Sequence, residues 1–313
     1  MFEEILENIK KYSVIVIHRH KNPDGDAMGS QLGLLNIIKD TYPEKEVYAV
    51  GDAAGRYAFM DADGELSDID DKKYSGALAI ILDTSASALI SDERYKLAEK
   101  TLRIDHHIFC EKIADTEVTD TSYESCCGLI TALAMEGGLT VSKKAAKLLY
   151  TGMITDSGRF RYDSTSAQTF RLASFLFERE FDTADIYRNL YSDDLSMVQL
   201  RARFILKIAF AGKNVAYIYT PIDEARSYGV SDFTLSRGMV NTMGEIRGID
   251  IWANFTETSD GVLCELRSSK YNINQIAVKH GGGGHEKASG ATLKDKNEAM
   301  QVLSELVALT EEK

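Results

Sequence analysis

The chain has 313 residues, 44% of them hydrophobic and 27% charged, and a formal net charge of −12. That composition belongs to a globular chain with a real core, and no apolar run approaches the length of a membrane-spanning helix. The acidic balance tells against a protein that grips long duplexes, whose affinity comes largely from neutralised phosphates. Small phosphorylated substrates, held by bound cations and a few Arg or His, stay compatible with it.

The opening, "MFEEILENIKKYS", spaces Phe2, Ile5, Leu6 and Ile9 like a short amphipathic helix and reads as no signal peptide. "SVIVIH" (13–18) reads as a buried strand, residues 27–39 as a helix turned inward through Leu32, Leu35 and Ile38, and "EVYAV", "ALAIILDTS" and "TLRIDHH" as further strands. Helical patterns dominate 124–136, 142–154 and 165–180. Continuous apolar strands alternating with helices predict a parallel sheet covered on both faces. The segment 184–210 reads as helical and could bridge two lobes. Beyond it "NVAYIYT", "IDIWANFTE" and "GVLCELRSS" are strand-like, and a helix closes the chain near 296–311. The expected architecture is α/β: an N-terminal parallel-sheet domain over 1–185, a helical linker over 186–210, and a smaller α+β domain over 211–313. Cysteines at 110, 126, 127 and 264 show neither CxxC spacing nor a disulfide framework, so reduced thiols in a cytoplasmic protein are expected.

Carboxylates and histidines fall where the apolar strands end. His20, Asp24 and Asp26 follow the first strand in "HKNPDGDAMGS", Asp83 closes "ALAIILD", Asp105, His106 and His107 close "TLRIDHH", and Asp156 follows a helix. Each alone has an ordinary explanation as a turn residue, a helix cap or a packed imidazole. Together they could converge, because the ligand crevice of an open parallel sheet lies beyond the carboxyl ends of its strands. Hard oxygen donors with imidazoles suit Mn²⁺ or Mg²⁺ better than zinc, and two cations sharing a carboxylate make up a familiar hydrolytic device.

These blocks resemble the DHH phosphoesterases. The resemblance rests on "HKNPDGDAMGS", "ILDTS", "RIDHH" and "TDSGRF" in that order and on "GGGGHEKASG", which together run from residue 20 to 290. The last block looks like the DHH-associated domain of the nano-RNase and phosphoadenosine-phosphate phosphatase branch. The resemblance implies two Mn²⁺ ions, with Mg²⁺ as the alternative: His20 and Asp24 on one, Asp26, His106 and Asp156 on the other, and Asp83 bridging. It implies that His107 faces the scissile phosphate and that Asp105 orients a neighbouring imidazole. His18 and His20 would point to one face if the strand continued; the resemblance implies His20, whose spacing to "PDGD" fits the family, and leaves His18 as a packed or supporting residue.

The run "KHGGGGHEKASG" (279–290) lacks the Gly-Lys-Ser/Thr ending of a P-loop. On pattern alone it is either a phosphate-binding nest or a tight structural turn. The resemblance implies that Gly282, Gly283, Gly284 and His285, with Arg267, grip the substrate's phosphate or terminal nucleotide across an interdomain cleft. Arg159, three residues after Asp156, is a further candidate, with a surface salt bridge as its alternative role. Arg237 and Asn241 are weaker candidates for the same cleft, and Trp252 reads as core or interface.

The sequence therefore predicts a Mn²⁺-dependent phosphoesterase that degrades short oligonucleotides from one end and dephosphorylates adenosine 3′,5′-bisphosphate. The alternatives are a cyclic- or linear-dinucleotide phosphodiesterase of the same family and a non-catalytic nucleotide-sensing module. Expected partners are short oligonucleotides and small nucleotide phosphates, with no long duplex and no membrane; the size of the chain permits a homodimer.

Overall fold

A computed structural model describes residues 2–311. The chain divides into two compact units between Ser192 and Asp193. The first begins with α1 (Glu3–Lys11), whose Ile5 and Ile9 are buried as the amphipathic spacing requires. Five strands follow: β1 (Val14–His18), β2 (Glu46–Ala49), β3 (Leu78–Leu82), β4 (Lys100–Asp105) and β5 (Thr116–Thr119). They form an all-parallel sheet in the order β2-β1-β3-β4-β5. This is a doubly wound order, and its topological switch point lies between β1 and β3.

One face of the sheet, through Ile15, Ile17, Leu78, Ile80, Leu82, Leu102 and Ile104, packs on helices in the main core. Helix α2 (Gly25–Thr41) lies at its centre, with 14 of its 17 residues buried, as a helix apolar on every side must be. Around it stand α3 (Cys126–Gly137), α4 (Lys143–Asp156), α5 (Ala167–Phe177) and α6 (Thr183–Tyr191). Serines cap three of these helices: Ser125, Ser142 and Ser166 accept bonds from the first-turn amides of α3, α4 and α5. The opposite face is covered as well, but by tight 3₁₀ turns carrying Tyr74 and Tyr95 rather than by α-helices.

The segment expected to be helical over 184–210 holds α6, a break at Ser192–Asp194, α7 (Leu195–Leu206) and then a short strand, β6 (Ala209–Ala211). Ser and Asp compete with a helix for their own backbone, which accounts for the break. The second unit is a six-stranded mixed sheet. Its remaining elements are β7 (Val215–Thr220), α8 (Ile222–Ser227), α9 (Asp232–Ser236), β8 (Ile251–Thr258), β9 (Gly261–Ser268), α10 (Asn274–Lys279), β10 (Gly283–His285), β11 (Ala288–Leu293) and α11 (Lys296–Glu311). The order is β10-β11-β9-β8-β7-β6, and only β7 and β8 pair in parallel. Helix α11 seals one face through Ala299, Val302 and Leu306, and α7, α8 and α9 cover the other. No helix among the described residues is long and apolar enough to cross a membrane.

Candidate metal centre

The first unit gathers its carboxylates and imidazoles at the carboxyl end of the sheet, around the β1/β3 switch point. Asp83, the residue after β3, lies between two histidines. Its Oδ2 is 3.5 Å from His20 Nε2 and its Oδ1 is 3.5 Å from His106 Nε2. His20 Nε2 also lies 3.8 Å from Asp24 Oδ1, and His106 Nε2 lies 3.4 Å from Asp156 and 3.8 Å from Asp26. Two groups result, His20–Asp24–Asp83 and Asp26–His106–Asp156, each with its donor atoms within 4.8 Å of one another. Asp83 belongs to the first and reaches into the second.

Each of these side chains has a definite local setting. Asp24 is the N-cap of α2, and its Oδ1 accepts the amides of Asp26 and Ala27 at 3.0 Å each. Asp26 lies in the first turn of α2, wholly buried, and both of its oxygens accept amides from the start of α3: Cys126 N at 2.7 Å and Cys127 N at 2.9 Å. Asp156 is the last residue of α4, where a carboxylate faces the negative end of the helix dipole. Asp83 has a φ of +51°, a left-handed conformation that costs a non-glycine residue stability and gathers at functional sites. His20 is held from behind by Arg19, fully buried, which donates to Gln31 Oε1 (2.9 Å), to Asp52 Oδ1 (2.8 Å) and to the carbonyl of His20 (3.1 Å).

The donor set fits a divalent cation. Asp83 is 2% exposed and its Oδ1 has no hydrogen-bond partner, although buried polar atoms almost always find one. All donors are carboxylate oxygen or imidazole nitrogen, the chemistry of Mn²⁺ and Mg²⁺ sites rather than of thiolate-bound zinc. The carboxylates and imidazoles of the cluster also shift one another's protonation. Burial works against the charged form of His20, but Asp24 and Asp83 outweigh it and raise its pKa to about 11; His106 is carried to about 10 in the same way, by Asp83 and Asp26. Asp156 is pushed up to about 7, first by burial and then by Asp83 and Asp24 against the pull of His106. Burial, Asp83 and Asp156 raise Asp26 as well, against which the two α3 amides act.

His107 stands beside these groups with a different set of contacts. Its Nδ1 is 2.7 Å from Asp105 Oδ1 and 3.6 Å from Asp83 Oδ1. A third grouping, Asp83–His106–His107, exists, but the bond to Asp105 already occupies Nδ1. Asp105 is fully buried; burial opposes its ionisation, and bonds from His107 and Arg103 outweigh it and hold its pKa below the ordinary value. His18 takes no part. It is fully buried between the rings of Tyr74 and Tyr95, and burial lowers its pKa to about 4.

Arg159 comes two residues beyond Ser157 in a turn where Gly158, Arg159 and Phe160 all have φ near +60°. Its guanidinium lies 5.0 Å from the centre of the Tyr191 ring, a cation–π contact. In the second unit, Arg267, Gly283, Gly284 and His285 line one cavity of about 260 Å³, and Gly282 lines an adjoining one of about 420 Å³. The glycines form no open loop: Gly283–His285 is edge strand β10, paired with β11. Close approach explains two of them, since a Cβ on Gly282 would come within 2.1 Å of the Gly290 carbonyl and one on Gly284 within 2.6 Å of the Ala288 carbonyl. Arg267 is paired with Glu265 at 3.0 Å. Arg237 lines both cavities. Trp252 packs in the core under α7 to α9.

Arg19, Arg103 and the α3 amides carry no motif that marks them in the sequence. Arg103, Asp105 and His107 stand at alternating positions, so the β period alone sets the first two on one face. Backbone donors such as those of Cys126 and Cys127 leave no residue-type signal.

Residues 14–153 match the DHH family, N-terminal domain, and residues 215–312 match the DHHA1 domain. A protein of Bacillus subtilis (strain 168) named bifunctional oligoribonuclease and PAP phosphatase NrnA is 35% identical over 315 residues, covering 100% of this chain and 99% of that one. Its namesake in Mycoplasma genitalium is 32% identical and covers 97% and 96%. The cyclic-di-AMP phosphodiesterase GdpP of Geobacillus thermodenitrificans is 26% identical over 96% of this chain but only 48% of its own length. Among solved structures, an exopolyphosphatase-related protein from Bacteroides fragilis has a TM-score of 0.85 at 25% identity, covering 98% of this chain and 95% of that one.

Proposed function

The chain belongs to the DHH family, and on that premise we propose that it is a Mn²⁺-dependent phosphoesterase that degrades short oligonucleotides to mononucleotides and removes a phosphate from adenosine 3′,5′-bisphosphate. The observation that carries this reading is Asp83, with one oxygen turned to His20 and the other to His106. His20 and Asp24 would hold one cation and Asp26, His106 and Asp156 the other, with Asp83 shared. Divalent cations supply there the polarisation of phosphoryl oxygens and a water of lowered pKa. The remaining chemistry falls to the chain. The bond from Nδ1 of His107 to Asp105 raises the pKa of that imidazole, and in the imidazolium so favoured Nε2 would hold the second ring proton against a phosphoryl or leaving oxygen. Arg159, three residues along the chain from Asp156, would be a substrate-binding group of the first unit, and Arg267, Gly282, Gly283, Gly284 and His285 those of the second. We assign residues 1–185 to catalysis and 211–313 to substrate binding; the stretch 186–210, expected as a linker, is shared between the two cores, Ile186 and Leu190 packing in the first and Leu200 and Phe204 in the second. Four unpaired thiols suit a reducing compartment, and we place the protein in the cytoplasm.

A matched panel with Mn²⁺ tests the reading: RNA dinucleotide, RNA five-mer, a forty-mer single strand, adenosine 3′,5′-bisphosphate and a cyclic dinucleotide. Preference for the short linear RNAs and the bisphosphate is expected. Equal rates on the dinucleotide and the forty-mer would defeat selection for short chains, and preference for the cyclic compound would move the protein to second-messenger turnover.

A further inference from the structure

We infer that Arg103 is a positioning residue for this reaction, acting through Asp105 on the ring of His107. The inference deepens the functional reading above and rests on it. Arg103 is among the largest side chains of the molecule and is wholly buried. Taking a guanidinium out of water costs several kcal/mol unless its bonds repay it, and here they do so incompletely, since Nε has no partner. What Arg103 does reach is directed. Nη1 donates to the Glu111 carbonyl at 3.1 Å and stands 3.7 Å from Glu117, while Nη2 donates to Asp105 Oδ2 at 2.5 Å.

The opposite oxygen of Asp105 meets His107 Nδ1 at 2.7 Å. The line thus runs from a buried cation through a buried carboxylate to an imidazole that is 47% exposed and faces the metal ligands. Arg103 and Asp105 share one face of β4, so the strand itself fixes the first bond of the line. A carboxylate anchored at Oδ2 cannot rotate away from the imidazole, which keeps the Nδ1–H bond and leaves Nε2 outward. Without Arg103, Asp105 keeps His107 as its single charged neighbour in that chain of bonds, and the anchor at Oδ2 is lost.

A double-mutant cycle on RNA dinucleotide hydrolysis at saturating Mn²⁺ tests this, with R103M, H107A and R103M/H107A compared for kcat, KM and bound manganese. We expect R103M to lower kcat by about 10- to 100-fold, the span for losing the outer partners that orient the groups of a metal site. KM and metal content should stay near wild type. In the H107A background the same change should cost less than about threefold, since coupled residues are not additive. R103K keeps the charge and should recover about tenfold of the loss. If R103M does not fold, R103K and R103K/H107A make the same cycle. Losses that multiply in the double variant, or a loss carried by KM or by lost manganese, would overturn the inference. A wild-type protein inactive on the dinucleotide would instead defeat the functional reading, so the two failures are distinguishable.

Discussion

Asp83 and the residues around it carry more negative charge than a protein tolerates without compensation. Protons are the compensation the chain itself offers: against burial, Asp24 and Asp83 raise the pKa of His20 to about 11, Asp83 and Asp26 raise that of His106 to about 10, and burial with Asp83 raises that of Asp156 to about 7. Ligation requires neutral imidazole and ionised carboxylate, so loading the site must expel those protons. At pH 7.5 we expect Mn²⁺ binding to the metal-free protein to release about two protons per chain, and the apparent affinity to keep rising with pH until both histidines are neutral, near their raised values of about 10 and about 11. Calorimetric titration in buffers of different ionisation enthalpy measures this directly; binding without proton release would contradict the assignment of both histidines. At this scale the sequence was informative where a side chain itself bears the chemistry. "HRH" offered two histidines, and burial separates them: His18 is walled in by Tyr74 and Tyr95, while His20, beyond the strand end, meets Asp24 and Asp83. Arg103 was legible only in the alternation Arg-x-Asp-x-His.

At the level of elements, the candidate ligands converge because α2 and α4 pack unusually close. A Cβ on Gly152 would stand 2.2 Å from Cys127 Sγ and 3.1 Å from Asp26 Oδ1, and one on Gly29 would stand 2.7 Å from the Leu148 carbonyl. Glycine is therefore required where α4 crosses the helices that hold Asp26. Gly152→Ala should destabilise the protein by about 1–3 kcal/mol, the usual cost of overpacking, and should weaken Mn²⁺ binding by displacing Asp26. Chemical denaturation and metal titration check the two effects, and adding Cys127→Ala should restore part of the stability. Wild-type stability in Gly152→Ala alone would refute this packing account. The apolar runs that become β1, β3, β7, β8 and β9 were readable from pattern because burial on both faces or strict alternation leaves a period. By contrast β5, with the half-buried sequence TEVT, carries none. Strand β10 was hidden by its glycines, whose composition signals a loop while the close approach of β11 makes them a strand.

For the molecule as a whole, the net charge of −12 and the absence of an extended basic track in the sequence fit substrates with few phosphates, since each additional phosphate adds repulsion that only local cations relieve. The division between Ser192 and Asp193 keeps the candidate metal ligands in one unit and the glycine-lined cavities in the other. Everything in the proposed chemistry depends on a pair of cations sharing Asp83. The most direct measurement is manganese per chain in desalted wild-type protein and in Asp83→Ala, taken with dinucleotide turnover and circular dichroism on the same samples. The account predicts about two manganese ions per wild-type chain, fewer than about one in the variant, and a loss of turnover of at least about a thousandfold with the dichroism unchanged. Two manganese ions and near-normal turnover in Asp83→Ala would contradict it.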